Sequence, residues 1–124
     1  MKKTVLLFCC FLLIALSGCE EGAETSEQIF PPANLTAVCI TGTGIQLDWS
    51  DVGNATSFNI YFGKQPSTLS FCTSVVRPSD GGNLQVCIEP PKVEIGHTYY
   101  FAITALSASG TETEMSVIVS KKFE

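Results

Sequence analysis

Ile45-Gln46-Leu47-Asp48-Trp49 alternates apolar and polar side chains without a break, and that alternation decides the fold. A period of two puts Ile45, Leu47 and Trp49 on one face of a strand and Gln46 and Asp48 on the other, so one face is built for a core and the other for water. Working outward, Phe58, Ile60 and Phe62 repeat the pattern after a turn at Asn54–Ser57, and Tyr99, Phe101, Ile103 and Ala105 repeat it after a corner at Gly96-His97. Leu35 and Ala37 precede these runs, Val86 and Ile88 lie between the second and third, and Val117 with Val119 closes the pattern. From Pro31 onward the runs are short and punctuated by Gly, Pro, Asn and Ser, and none keeps helical periodicity for three turns. The pattern predicts an all-β domain of seven short antiparallel strands in two packed sheets, with Trp49 as the central core aromatic.

The residues also carry a family likeness. Pro32-Ala33-Asn34-Leu35-Thr36-Ala37, then Leu47-Asp48-Trp49, then Ala55-Thr56-Ser57-Phe58-Asn59-Ile60-Tyr61, and finally Tyr99-Tyr100-Phe101-Ala102-Ile103-Thr104-Ala105 with Gly110 and Ser116 resemble a bacterial fibronectin type III domain. The resemblance implies an immunoglobulin-like sandwich over residues 31–124, with Tyr99 at a tyrosine corner that packs its ring inside and bonds its hydroxyl to nearby backbone. Two features depart from the family pattern: Phe58 stands where tyrosine is usual, and the middle section carries a cysteine pair, so Lys64–Val93 is the section the pattern defines least.

Upstream, Lys2 and Lys3 precede an apolar run, Thr4–Leu16, that ends in Leu16-Ser17-Gly18-Cys19. A charged start, an apolar segment and small residues before a cut form a secretory signal. A membrane-spanning helix needs about 20 apolar residues, whereas this run is shorter and is followed at once by Glu20 and Glu21. Leu16–Cys19 resembles the lipobox of bacterial lipoproteins. That likeness implies removal of residues 1–18, a diacylglyceryl group on the Cys19 thiol and acylation of the new amino terminus. Cys9 and Cys10 do not suit the role, because they follow the bulky Phe8 and sit within the apolar run. At about 0.8 kcal/mol per buried methylene, several acyl chains make a permanent membrane tether. Glutamate rather than aspartate after the lipidated position leaves outer-membrane sorting as the expectation in a Gram-negative cell.

Cleavage there would leave 106 residues with five basic and twelve acidic side chains, one domain on a tether. That balance speaks against nucleic acid as a partner. Residues 19–30 form the lipidated cysteine and an acidic linker with Glu20, Glu21, Glu24 and Glu27. Cys39, Cys72 and Cys87 remain in a compartment where disulfides persist. Cys72 and Cys87 flank the turn signature Pro78-Ser79-Asp80-Gly81-Gly82, which would fold their arms together, so a Cys72–Cys87 bridge is expected, with Cys39 a buried free thiol. A zinc site from these cysteines and His97 would want ligands at close spacing, which these four positions lack.

No pattern for catalysis emerges. There is no Gly-x-Ser-x-Gly elbow, phosphate loop or calcium loop, and Arg77 is the single arginine. Asp48, Asp51, Glu89 and Glu94 are the candidate paired carboxylates, but they fall on strand edges and loops of a small convex domain without a cleft. His97 reads as a solvated turn residue. No cofactor or metal is expected. If Phe58, Ile60 and Phe62 face inward, Tyr61 faces outward, and Tyr100 does the same from the penultimate strand, which neighbours it in this fold. Tyrosine offers a large, rigid, amphipathic surface, so the pair is the candidate binding site for a protein or glycan partner; a cross-strand pair that merely stabilises the sheet is the plainer alternative. The expected function is a membrane-anchored, non-catalytic binding or scaffold module of the bacterial envelope, with an accessory subunit or inhibitor docking an envelope enzyme or secretion complex as the rival.

Overall fold

A computed structural model describes residues 28–124. Seven strands form in chain order: β1 (Ala33–Ile40), β2 (Gly44–Ser50), β3 (Ser57–Gly63), β4 (Ser70–Val76), β5 (Gln85–Ile88), β6 (Thr98–Leu106) and β7 (Val119–Lys122). They make two antiparallel sheets, one ordered β1-β2-β5 and the other β4-β3-β6-β7. This is the expected all-β sandwich. Cys19 and the expected signal and lipidation site lie outside the described residues.

Alternation places the core as the sequence implies. Ile45 and Leu47 are fully buried and Trp49 nearly so on β2, Phe58 and Ile60 on β3, and Tyr99, Phe101, Ile103 and Ala105 on β6. The Trp49 and Phe58 rings meet edge to face at 5.5 Å between the sheets, a geometry aromatic quadrupoles favour. Phe62 stacks on Tyr99 and Phe101 at 6.0 and 6.2 Å, closing the opposite end of the core. The β1–β2 turn depends on Gly42, whose φ of 73° is left-handed and strained for a side chain with a Cβ. The corner before β6 uses Gly96 in the same way, at φ 95°, and its N–H donates to the Phe123 carbonyl at 2.7 Å. Tyr99 then makes the corner the family likeness implies. Its ring is buried and its hydroxyl accepts from the Glu94 N–H at 2.7 Å, a bond worth about 1 kcal/mol.

The structure differs from the sequence reading in four places. β4, which the alternation did not mark, lies within Lys64–Val93; its register slips between Ile60 and Tyr61, leaving Cys72 as an extra residue and breaking the period of two. Val117 is 72% exposed and outside β7; the neighbouring Ser116 is held inward instead, its N–H donating to Ile103 O at 2.8 Å and its hydroxyl accepting from the Ile103 N–H at 3.0 Å. The core is finished by Val93 and Phe123, both fully buried. Contacts also begin upstream of Pro31: Gln28 O accepts from the Asn54 N–H at 2.8 Å, and Ile29 packs against the core. Residues 28–30 are therefore part of the sandwich rather than of the linker.

The fourth difference concerns the thiols. Cys39, Cys72 and Cys87 are all free, and the expected Cys72–Cys87 bridge is not formed. The strands explain why. β4 and β5 belong to different sheets; Cys72 packs against the core, whereas Cys87 lies between the inward Val86 and Ile88 and so turns to the outside of its sheet, over Gly44. Burial pushes the Cys72 thiol above its ordinary pKa, with Lys92 pulling weakly the other way. Desolvation also raises Cys87, helped by Glu89. Cys39 is half-buried against the core, and its sulfur accepts from the Glu124 N–H at 3.3 Å. The described residues 28–124 form seven strands packed around one core.

Candidate functional site

The outer face of the four-stranded sheet collects the distinctive surface side chains. β3 presents Asn59 and Tyr61, β4 presents Phe71 and Ser74, and β6 presents Tyr100 and Thr104. Tyr61 and Tyr100 share this face but are not directly opposite: Tyr61 pairs with Ala102, and Tyr100 with Gly63. They are diagonal neighbours, a separation of about 7–8 Å between such positions. The aromatic that Tyr61 meets is Phe71, edge to face at 6.1 Å, and Phe71 is 56% exposed. Sequence alternation missed Phe71 because the extra residue on β4 reverses its facing.

A single carboxylate orders the middle of this face. Glu112, on the segment between β6 and β7, accepts with Oε2 from the Tyr61 hydroxyl and the Thr104 hydroxyl, each at 2.5 Å, and from Asn59 Nδ2 at 3.3 Å. Asn59 in turn accepts from the Ser74 hydroxyl at 2.6 Å. The segment is docked on the β6 edge, with Thr113 N–H on Ala105 O at 2.9 Å and Ala105 N–H on Thr113 Oγ1 at 3.0 Å. Glu112 therefore stands over the sheet, and Tyr61 is held in one orientation. The bond from Thr104, then that from Tyr61, lowers the Glu112 pKa; the bond to Glu112 is the main cause that raises that of Tyr61.

The signs define a pH window. The lowered Glu112 contributes stability that is complete above its ordinary 4.5 and lost as pH falls through its folded value. The raised Tyr61 contributes stability complete below 10.0 and lost as pH rises through its folded value. We expect Glu112→Gln to bring the Tyr61 phenol titration back toward 10.0, read by ultraviolet absorbance against Tyr61→Phe. A Tyr61 titration unmoved by the substitution would show that Glu112 does not hold it.

The carboxylates and histidine singled out as candidate chemistry are scattered. Asp48 accepts from Gln46 Nε2 at 3.2 Å on the outer face of the other sheet. His97 sits 3.4 Å from Glu94 in the corner before β6, with both side chains exposed. Asp51 is structural: its side chain is 3% exposed, Oδ1 accepts from the Gly53 N–H at 3.0 Å, and Oδ2 meets Arg77 Nη2 in a charge contact without hydrogen-bond alignment. Arg77 also donates Nε to Ala55 O at 2.7 Å and lies 5.8 Å over the Phe58 ring. Neither residue's role was visible in local spacing, since 26 positions of chain separate them.

No family model matches the chain. A poly(3-hydroxybutyrate) depolymerase of Ralstonia pickettii is 25% identical over 99 residues, which is 80% of this chain but 18% of the depolymerase, so the chain spans under a fifth of that relative. Among solved structures, an Fn3-like protein from Clostridium thermocellum superposes with a TM-score of 0.62 at 21% identity, covering 79% of this chain and 96% of that one. A β-1,2-glucanase from Parabacteroides distasonis gives 0.65 at 17% identity over 79% of this chain and 13% of its own. Strand order, sheet composition and these superpositions together identify the described part of the chain as a seven-strand fibronectin type III sandwich.

Proposed function

We propose that this chain is a lipid-anchored envelope protein of a bacterium, tethered through Cys19, that displays its sandwich as a non-catalytic binding or scaffold module. The face bearing Tyr61 and Tyr100 is the binding surface in this reading, and its partner is a protein or a glycan. The observation that supports it is the fixed Tyr61: a phenol locked by Glu112 beside an exposed Phe71 presents a rigid aromatic face that loses little freedom on binding. The likeness to short portions of a depolymerase and a glucanase favours a second reading, in which the sandwich accompanies a separate enzyme that acts on a polymer.

A pull-down from detergent-solubilised envelopes with the acylated protein and a Tyr61→Ser, Tyr100→Ser variant, each checked for folding, tests both. Capture by the wild type alone is the expected result. Equal capture by both proteins would move the site to a loop or an edge, and co-capture of a polymer-degrading enzyme would favour the second reading.

A further inference from the structure

The outer face of the four-stranded sheet is sorted into rows. Ser74, Asn59 and Thr104 lie side by side across β4, β3 and β6, and Phe71, Tyr61 and Ala102 form the next row. One carboxylate joins the two: Glu112 Oε2 accepts from Asn59 and Thr104 in the polar row and from Tyr61 in the aromatic one. Three donors hold that carboxylate in place, so it loses little freedom when a ligand arrives.

What these groups have left to offer decides what can bind. The hydroxyl protons of Tyr61 and Thr104 are spent on Glu112, and that of Ser74 on Asn59. The centre of the face therefore turns acceptors outward, apart from the second N–H of Asn59. A glycan hydroxyl is donor and acceptor at once, and this face answers only the donor. Among the described residues Glu112 Oε1 accepts no hydrogen bond, and no basic side chain lies within ion-pair distance of the carboxylate. Glu112 is exposed, and hydrogen bonds rather than a neighbouring cation keep its pKa low, so near neutral pH its charge stands uncompensated.

The rings call for the same kind of ligand, because an aromatic face attracts a cation. The Tyr61 hydroxyl is 2.5 Å from Glu112 Oε2, so its ring begins one hydrogen bond from the charge. Phe71, 56% exposed, stands edge to face with Tyr61 at 6.1 Å. A guanidinium is planar, weakly hydrated and rich in donors, so it can lie on a ring and donate to a carboxylate together. We propose that this face takes an arginine side chain of a partner protein, its guanidinium donating to Glu112 Oε1 and lying against the rings of Tyr61 and Phe71. The proposal rests on the reading of this face as the binding surface, and it narrows the partner from a protein or a glycan to a protein with a basic surface. The sandwich, with eight acidic and five basic side chains, also attracts such a partner at long range.

An amide NMR titration of the acylated protein in neutral detergent tests this, with a blocked peptide of alternating arginine and glycine as the probe. The control is the same peptide with citrulline for arginine, which keeps the shape and removes the charge. We expect shifts at Asn59, Tyr61, Thr104 and Glu112 with a Kd of about 1 mM, weakened at least about threefold by Glu112→Gln and by Tyr61→Ser, Tyr100→Ser. Added salt should weaken binding to the wild type more than to Glu112→Gln. Tyr61→Phe cuts the same bond to Glu112 while keeping the ring and the charge, so it should retain binding. Equal binding of the citrulline peptide, indifference to Glu112→Gln, or a loss in Tyr61→Phe as large as in Glu112→Gln would each overturn the proposal. The envelope pull-down separates it from the broader reading. A partner lost by the double tyrosine variant but kept by Glu112→Gln leaves this face as the site and removes the arginine, whereas a partner kept by both variants removes both.

Discussion

Replacing Trp49 with alanine is expected to lower stability by about 3–5 kcal/mol, the cost of removing a large aromatic from a packed core. The ring is 6% exposed and braces the two sheets through Phe58. At about 4 °C or more per kcal/mol for a domain of this size, the thermal midpoint should fall by at least roughly 12 °C. A refinement follows from the indole nitrogen, which is buried without a hydrogen-bond partner among the described residues. An unpaired buried donor is a cost, so Trp49→Phe, which keeps an aromatic and deletes the donor, should lose much less than the alanine variant. Thermal unfolding of the two variants measures the difference. Equal losses would mean that indole volume outweighs the unpaired donor.

The second large effect is expected from Arg77→Ala, about 3 kcal/mol, at the lower end for breaking a buried pair because the arginine side chain is 40% exposed. Most of the loss comes from the partner left behind, since Asp51 would lose its counter-charge in a site that admits almost no water. The double variant Arg77→Ala, Asp51→Asn should therefore recover part of the loss, and a chemical-denaturation cycle of the four proteins reports the coupling. If the double variant is as unstable as the sum of the singles, the charge contact is not the cause and the lost packing of the guanidinium over Phe58 is.

The core was legible in the sequence wherever a strand kept its period of two. Ile45, Leu47 and Trp49 on β2, and Tyr99, Phe101, Ile103 and Ala105 on β6, are buried as their alternation requires. Legibility ends where a backbone irregularity or a distant partner decides the outcome. The extra Cys72 on β4 shifts the facing of its neighbours and hid the role of Phe71, while the expected bridge to Cys87 fails because β4 and β5 lie in different sheets. Val117 was placed with Val119 by alternation, yet the hydroxyl of Ser116 claims the inner position by bonding the β6 backbone. Glu112 could not have been singled out locally, because its partners lie 8, 51 and 53 residues away in the chain. Tyr61 was found by alternation alone, but its neighbour is set by register, which put Tyr100 on the diagonal.

Gln28 and Glu124 are fastened at opposite poles of the sandwich, the first beside Asn54 just past the end of β2, the second beside Gly42 just before its start. Seven residues of strand at about 3.3 Å each separate these poles by about 23 Å. A pull between the two points would run along the strands instead of across them. The ladder bonds of β1 and β7 would then be sheared together rather than unzipped singly.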